Sequence, residues 1–197
     1  MGYAQAGFVV TGVDIAAQPD YPFRFLRADV LALFSQLDMS HYDAFHASPP
    51  CQTYSAMTAC RPGLADSYPD LIAPVRDLLT KTGKPYVIEN VAGSPLHNPI
   101  ELCGRSFGLP LYRHRQFESN IPLQAPPHAV HDVPTSDAGH WRPGTIMSVV
   151  GHCAPIALAR RAMGIGWMRR EELVEAIPPA YTRHIGLQLR AHLAVAA

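Results

Sequence analysis

The chain has 197 residues, of which 48% are hydrophobic, and 16 Lys/Arg balance 16 Asp/Glu. That length and apolar share suit one globular domain with an ample core, while no apolar run approaches the ~20 residues needed to span a bilayer. The net charge of zero divides unevenly: residues 1–98 carry 6 Lys/Arg and 9 Asp/Glu, and residues 99–197 carry 10 and 7, all ten being Arg.

The elements follow in chain order. Met1–Ala6 is predicted as the last turns of a helix, with Gly7 as its cap. Phe8–Val13 reads as a buried strand ending in Asp14-Ile15. Phe23–Leu26 reads as a short strand, and Asp29 opens a helix through Leu37. Residues 42–47 form a strand that runs into Ser48-Pro49-Pro50-Cys51-Gln52. Residues 53–65 are small, polar and glycine-bearing, and are expected to form a mobile loop. Asp70–Thr82 is a predicted helix with Leu71, Ile72, Val75, Leu78 and Leu79 on its apolar side, closed by Gly83. Tyr86–Val91 is the next strand. Beyond Pro99 the pattern loosens. Leu111–Glu118 is predicted as a strand with Arg113 and Arg115 on one face. Residues 120–144 are rich in Pro, His and Gly and read as irregular. Thr145–Val150 reads as a strand, Ala154–Met163 and Arg169–Ala176 as helices, and the last helix starts at Pro178-Pro179 and runs to about Leu193.

Alternating strands and helices predict an α/β domain with a mostly parallel sheet. Reactive groups gather at the carboxyl ends of such strands, and Asp14, Cys51 and Glu89 are all expected on that rim. The organisation expected is a catalytic α/β domain over 1–118, a short irregular insertion over 119–153, and C-terminal helices over 154–197 that return to the catalytic domain.

A proline-framed cysteine at one strand end and an acid at the next suggest a thiol and a carboxyl group working on one substrate. A thiolate that adds to C6 of cytosine, while an acid protonates N3, gives C5 the enamine character it needs to attack an electrophilic methyl group. A base in a duplex must first be flipped out. Asp14 suits the ribose hydroxyls of an adenosine-containing cofactor. Asp29 suits its adenine amino group, or is simply a helix N-cap. The C-terminal arginines suit phosphates and base edges, or are solvated surface charge; among them Arg160-Arg161 and Arg169-Arg170 are candidates for phosphate contact.

On these residues the chain resembles the DNA (cytosine-5) methyltransferases, especially their short phage-type forms. Pro49-Pro50-Cys51-Gln52 is similar to the nucleophile motif and Glu89-Asn90-Val91 to the Glu-Asn-Val motif. Tyr112-Arg113-His114-Arg115 is similar to the motif whose alternate arginines line the cytosine pocket. Ala176-Ile177-Pro178-Pro179 is similar to the closing motif at the cofactor site, and Gly7-Phe8 through Asp14-Ile15 to the segment with the cofactor-binding acid. The resemblance implies a Rossmann-like methyltransferase fold with a small target-recognition insertion. It implies that Cys51 attacks C6, Glu89 protonates N3, Arg115 contacts the base carbonyl and Arg113 supports the thiolate. S-adenosyl-L-methionine would sit on Asp14, Ile15, Asp29, Pro50 and Ala176, while Gln52, Asn90 and Val91 would face the substrate, double-stranded DNA.

The chain also departs from the family. No Phe-x-Gly-x-Gly-Gly turn stands before Gly2-Tyr3, so the first and most central strand is expected to be missing. Glu175 stands where the closing motif usually has Asn, and the target-recognition region is short. The alternatives are a DNA-binding remnant without cofactor binding, or the same chemistry on RNA or a free pyrimidine nucleotide. Cys51, Cys60, Cys103 and Cys153 form no CxxC pair and are expected to be free thiols. With no basic n-region at the N-terminus, a cytoplasmic protein is expected, and no protein partner is evident. His128, His131, His140 and His152 with Cys153 offer metal ligands, but their loose spacing in a proline-rich segment argues against a site, and no metal is expected.

Overall fold

The computed structural model describes residues 1–36, 38–55, 67–137 and 140–196. Cys60, Leu37 and most of the loop expected at 53–65 lie outside them. The chain is α/β, built on two separate sheets. In the larger, β3 (Phe45–Ala47), β4 (Tyr86–Asn90), β6 (Arg115–Ser119) and β5 (Ile100–Leu102) lie in that order. β3 and β4 are parallel, whereas β6 runs antiparallel to both β4 and β5. The sheet is therefore mixed, not mostly parallel as expected. No helix separates β4 from β5 or β5 from β6, and only a 3-10 turn at Gly104–Phe107 intervenes. Without a crossover helix the chain must reverse.

β1 (Thr11–Asp14) and β2 (Arg24–Arg27) form a two-stranded parallel sheet of their own. The strand expected to be buried here is not: Val13 is 38% exposed and Val9 fully so. Its one neighbour among the described strands is β2, which leaves its other edge unpaired among them. A cavity of about 1190 Å³ separates the sheets, lined by Phe8, Val9, Tyr42, Ala44, Lys84 and Leu193 among others. These residues lead into β1, β3 and β4 or end the last helix, so the cavity opens at the amino ends of those strands.

Helices α1 (Gly2–Gln5), α2 (Val30–Leu33), α3 (Ile72–Lys81), α4 (Ile156–Met163), α5 (Arg170–Glu175) and α6 (Pro179–Ala196) complete the fold. Gly7 follows α1 at φ 92°, as its predicted capping role requires. α2 is shorter than expected. Strand alternation assigns the layers. Tyr86 and Ile88 of β4 face Val75 and Leu79 of α3. Val87 faces the other way and joins Leu102, Phe117 and the α6 residues Tyr181, Ile185 and Leu189. Burying each of these large apolar side chains contributes about 1.5–3 kcal/mol. α1 packs on α6 so closely that a Cβ on Gly2 would collide with Thr182 and the Pro179 carbonyl.

A second core lies beside the sheet, where Leu111, Met147, Val149 and Cys153 pack on Ala159 and Met163 of α4 and Leu173 of α5. This corrects the strand expected at Thr145–Val150. Among the described residues the segment makes only an isolated bridge, Thr135 to Ile146. Its apolar pattern reflects burial against helices rather than sheet pairing. Among the described residues, no helix is long and apolar enough to cross a membrane.

An ion pair clamps α3 to β6. Arg76 donates from Nε and Nη2 to the two carboxylate oxygens of Glu118, both at 2.7 Å, and the His97 amide donates to Oε2 at 2.7 Å. Burial works to raise the Glu118 pKa, but the hydrogen bonds from Arg76 and His97 outweigh it and hold the carboxyl below its usual range. A carboxylate depressed in the folded state contributes stability above its unfolded pKa of about 4.3, and that stability is lost as pH falls through the folded value. Glu118→Gln is expected to cost about 3 kcal/mol at neutral pH, because it leaves Arg76 without its counter-charge. In urea denaturation, the gap between variant and parent should narrow below about pH 4.

Candidate active site

The Pro49-Pro50-Cys51 turn leaves the end of β3 and is fastened to the end of β4. Asn90 is 1% exposed. Its Nδ2 donates to the Pro49 carbonyl at 3.0 Å, and its Oδ1 accepts from the Val91 amide at 2.9 Å. Both ends of this amide, expected to face the substrate, are thus engaged by the protein, and Asn90 works as a strut. The Val91 carbonyl accepts from Ser94 Oγ at 2.7 Å and opens the turn after β4.

Register brings the charged partners in. Glu89 lies opposite Phe117 in the β4–β6 pair, so Arg115, two residues earlier on the same face, is its diagonal neighbour. Arg115 Nε forms an ion pair with Glu89 Oε1 at 3.0 Å. Glu89 is 6% exposed. Burial raises its pKa, against the opposing pull of Arg115, a Ser48 hydrogen bond and Arg113. The Cys51 thiol is half-buried. Its pKa is raised by burial, drawn down by Arg115, and raised again by Glu89 and Glu175. Glu175, noted as a departure in the closing motif, thus bears electrostatically on the thiol. The geometry brings Cys51, Glu89 and Arg115 together.

Arg113 bears electrostatically on Arg115, Glu89 and Cys51, but it does not share a strand face with Arg115, which corrects that expectation. β6 begins only at Arg115, and Arg113 has φ 38°. That left-handed turn, strained for a side chain with a Cβ, swings the guanidinium toward the end of α5. Nη1 donates to the Val149 carbonyl at 2.8 Å, Nη2 to the Val174 and Ala176 carbonyls at 2.7 Å each, and Nε to Ala176 at 3.0 Å. Burial and then Arg115 push its pKa down to about 9, which still leaves it charged at neutral pH. Tyr181 donates to the Arg113 carbonyl at 2.8 Å and holds the turn from the other side. Arg113 is therefore a positioning residue that caps α5, and the Ala176 carbonyl is already taken.

Of the expected cofactor residues, Asp14, Ile15 and Asp29 lie at the carboxyl ends of the two-stranded sheet, whereas Pro50 lies in the Cys51 turn and Ala176 ends α5. Asp14, at the end of β1, accepts from the Ala16 amide at 2.8 Å and Gln18 Nε2 at 3.1 Å. Ile15 is 70% exposed. Asp29 caps α2 by accepting from the Leu31 amide at 2.9 Å, so its N-cap reading is realised. Pro50 is half-buried in the turn. Gln52 Oε1 is buried without a hydrogen-bond partner among the described residues, and a buried acceptor in that state is an exception that asks for a donor.

Three residues without a predicted role join the site. Ser48 bonds to Glu89, His46 Nε2 lies 3.1 Å from Ser48 Oγ, and Tyr3 Oη lies 2.7 Å from His46 Nδ1. Desolvation pushes Tyr3 up and His46 down to about 4, so the phenol keeps its proton and the imidazole is neutral. Tyr3, His46 and Ser48 thus form a chain of contacts that ends beside Glu89. The i, i+2 spacing of His46 and Ser48 was the available signal, since it sets both on one side of an extended chain. The four histidines weighed above as metal ligands also divide. His128 and His131 gather with Cys103 and His114, whereas His152 lies 3.0 Å from Arg170 Nη1.

No protein-family model matches the chain, and no curated protein matches it in sequence. The electrostatics can be tested directly. Arg115→Gln removes the cation that draws the Cys51 thiol down, so its alkylation by iodoacetamide at pH 8.5 should slow about threefold or more. Peptide mass spectrometry of Cys51 reads the rate, and an unchanged pH profile would contradict the assignment.

Proposed function

We propose that the chain is a DNA cytosine-5 methyltransferase on a Rossmann-like methyltransferase fold, working through a covalent bond between Cys51 and C6 of cytosine. The observation that carries this reading is the grouping of Cys51, Glu89 and Arg115 at the ends of β3, β4 and the start of β6. A carboxyl group whose pKa is raised by burial suits the acid that protonates N3. As Cys51 adds to C6, that proton lets charge leave the ring and C5 becomes nucleophilic. Loss of the C5 proton after methylation then lets the Cys51–C6 bond break. Arg115 orients Glu89 and presents its remaining donors to the base carbonyl. The Tyr3–His46–Ser48 chain holds the Glu89 carboxyl in place.

S-adenosyl-L-methionine, when bound, supplies the electrophilic methyl group. The residues present fit its adenosine end. Asp14 keeps acceptor capacity beyond its two internal bonds, the exposed Ile15 offers an apolar face, and Asp29 caps with Oδ1 and keeps its second oxygen for an amine. Double-stranded DNA is the proposed partner. Arg142 and Arg161 are exposed and available to phosphates, whereas Arg169 pairs with Asp20 at 3.2 Å and Arg160 donates to the Met168 carbonyl.

Cys51→Ser is expected to reduce methyl incorporation into duplex DNA by more than about 10³-fold, and a 5-fluorocytosine duplex should trap the parent chain through Cys51. Undiminished transfer by Cys51→Ser would overturn the reading. Glu89→Gln should lower turnover while leaving duplex binding intact. Transfer RNA and dCMP as alternative acceptors separate DNA from the other pyrimidine substrates. A second reading, duplex binding without cofactor, draws on the separation of Asp14 and Asp29 from the Cys51 sheet. Calorimetry with S-adenosylmethionine distinguishes the two, because clear binding rules the second out.

A further inference from the structure

We infer that Cys103, His114, His128 and His131 form a structural zinc site that fastens the irregular segment to the arginine-bearing strand. One ligand atom from each of the four lies within 4.8 Å of every other. Cys103 Sγ is 3.4 Å from His131 Nε2, and His114 Nε2 is 3.0 Å from His128 Nε2. A tetrahedral zinc ion with Zn–S near 2.3 Å and Zn–N near 2.05 Å has S···N edges of about 3.6 Å and N···N edges of about 3.3 Å. The two contacts just given lie within about 0.3 Å of those edges, and the remaining separations, none above 4.8 Å, shorten by at most about 1.5 Å to reach that figure. One thiolate and three imidazoles suit zinc and its softer neighbours, and offer none of the oxygen donors that calcium or magnesium requires. Four protein ligands close the coordination shell, which marks a structural rather than a catalytic centre.

The protein's own contacts pre-form the site. Cys103 is 1% exposed and follows β5 directly. His114 immediately precedes β6. The segment with the two remaining histidines is held on both flanks. Ser106 Oγ donates to the Pro127 carbonyl at 3.0 Å and accepts from the Ala129 amide at 3.2 Å. Tyr112 Oη donates to the Val133 carbonyl at 2.5 Å and accepts from the Val133 amide at 3.1 Å. The Tyr112 ring stacks on His131 with centroids 3.7 Å apart, and Arg105 pairs with Asp132 at 3.0 Å. Segment spacing hides the set, because two of the ligands lie outside the histidine-rich stretch. The competing group fails on geometry: His140, His152 and Cys153 do not gather with His128 and His131 among the described residues.

The inference does not rest on the proposed methyl transfer, and its test reads metal rather than activity. The full chain, expressed with zinc in the medium, is expected to carry one zinc ion per chain by elemental mass spectrometry. Replacement by cobalt(II) should give the thiolate-to-metal charge-transfer band and the intense visible bands of a tetrahedral site. His128→Ala, at an exposed position that the folded core does not need, should weaken cobalt affinity by at least about tenfold. Cys103→Ser should abolish the charge-transfer band. His140→Ala and His152→Ala should retain full metal. A folded parent chain that neither carries zinc nor gives the cobalt spectrum overturns the inference, as does stoichiometric metal that survives His128→Ala unchanged.

Discussion

Arg113, His114 and Arg115 are consecutive, yet their side chains serve three different neighbourhoods. The left-handed backbone at Arg113 makes that division possible. In an extended strand Arg113 and Arg115 would lie on one side of the sheet. The turn instead sends Arg113 into the carbonyls that end α5, leaves His114 facing His128, and starts β6 at Arg115, diagonal to Glu89. Such a backbone conformation costs about 1–3 kcal/mol and persists only when its surroundings over-determine it. Here Tyr181 grips the Arg113 carbonyl while the guanidinium bonds to three carbonyls. Glu89, the second core and the irregular segment therefore share one constraint.

Much of the sheet and its cover was legible from the chain. The helix at 72–81 and the strand at 86–90 follow from apolar periodicity, and Ile72, Val75, Ile88 and Leu79 are buried as that pattern requires. Asp29 capped its helix as its residue type predicts. The errors fall where long-range contacts override local pattern. Ile146, Met147 and Val149 look like a strand because they are apolar, but what buries them is α4 and α5. β5 is three residues long, too short for alternation to show. Arg113 departs from the strand because of partners some sixty residues later in the chain, which no local reading contains.

The site was legible unevenly for the same reason. Proline framing marked Cys51, and the strand end marked Glu89, because both signals are local. The strut made by Asn90 and the chain Tyr3–His46–Ser48 depend on contacts across the fold. Asn90, expected at the substrate, fixes the distance between the thiol turn and the acid.

The two-stranded sheet that carries Asp14 and Ile15 has an energetic consequence of its own. Two paired strands alone are marginal in water, and no residue of β1 or β2 is fully buried. Their opening free energy is then well below that of the β4–β6 core. A ligand that lies across Asp14 and Ile15 must first hold this sheet closed, and part of its intrinsic affinity goes into that work. The same arithmetic makes amide exchange in residues 11–14 and 24–27 a sensitive gauge of occupancy, because a region that opens easily gains the most protection when it is bound.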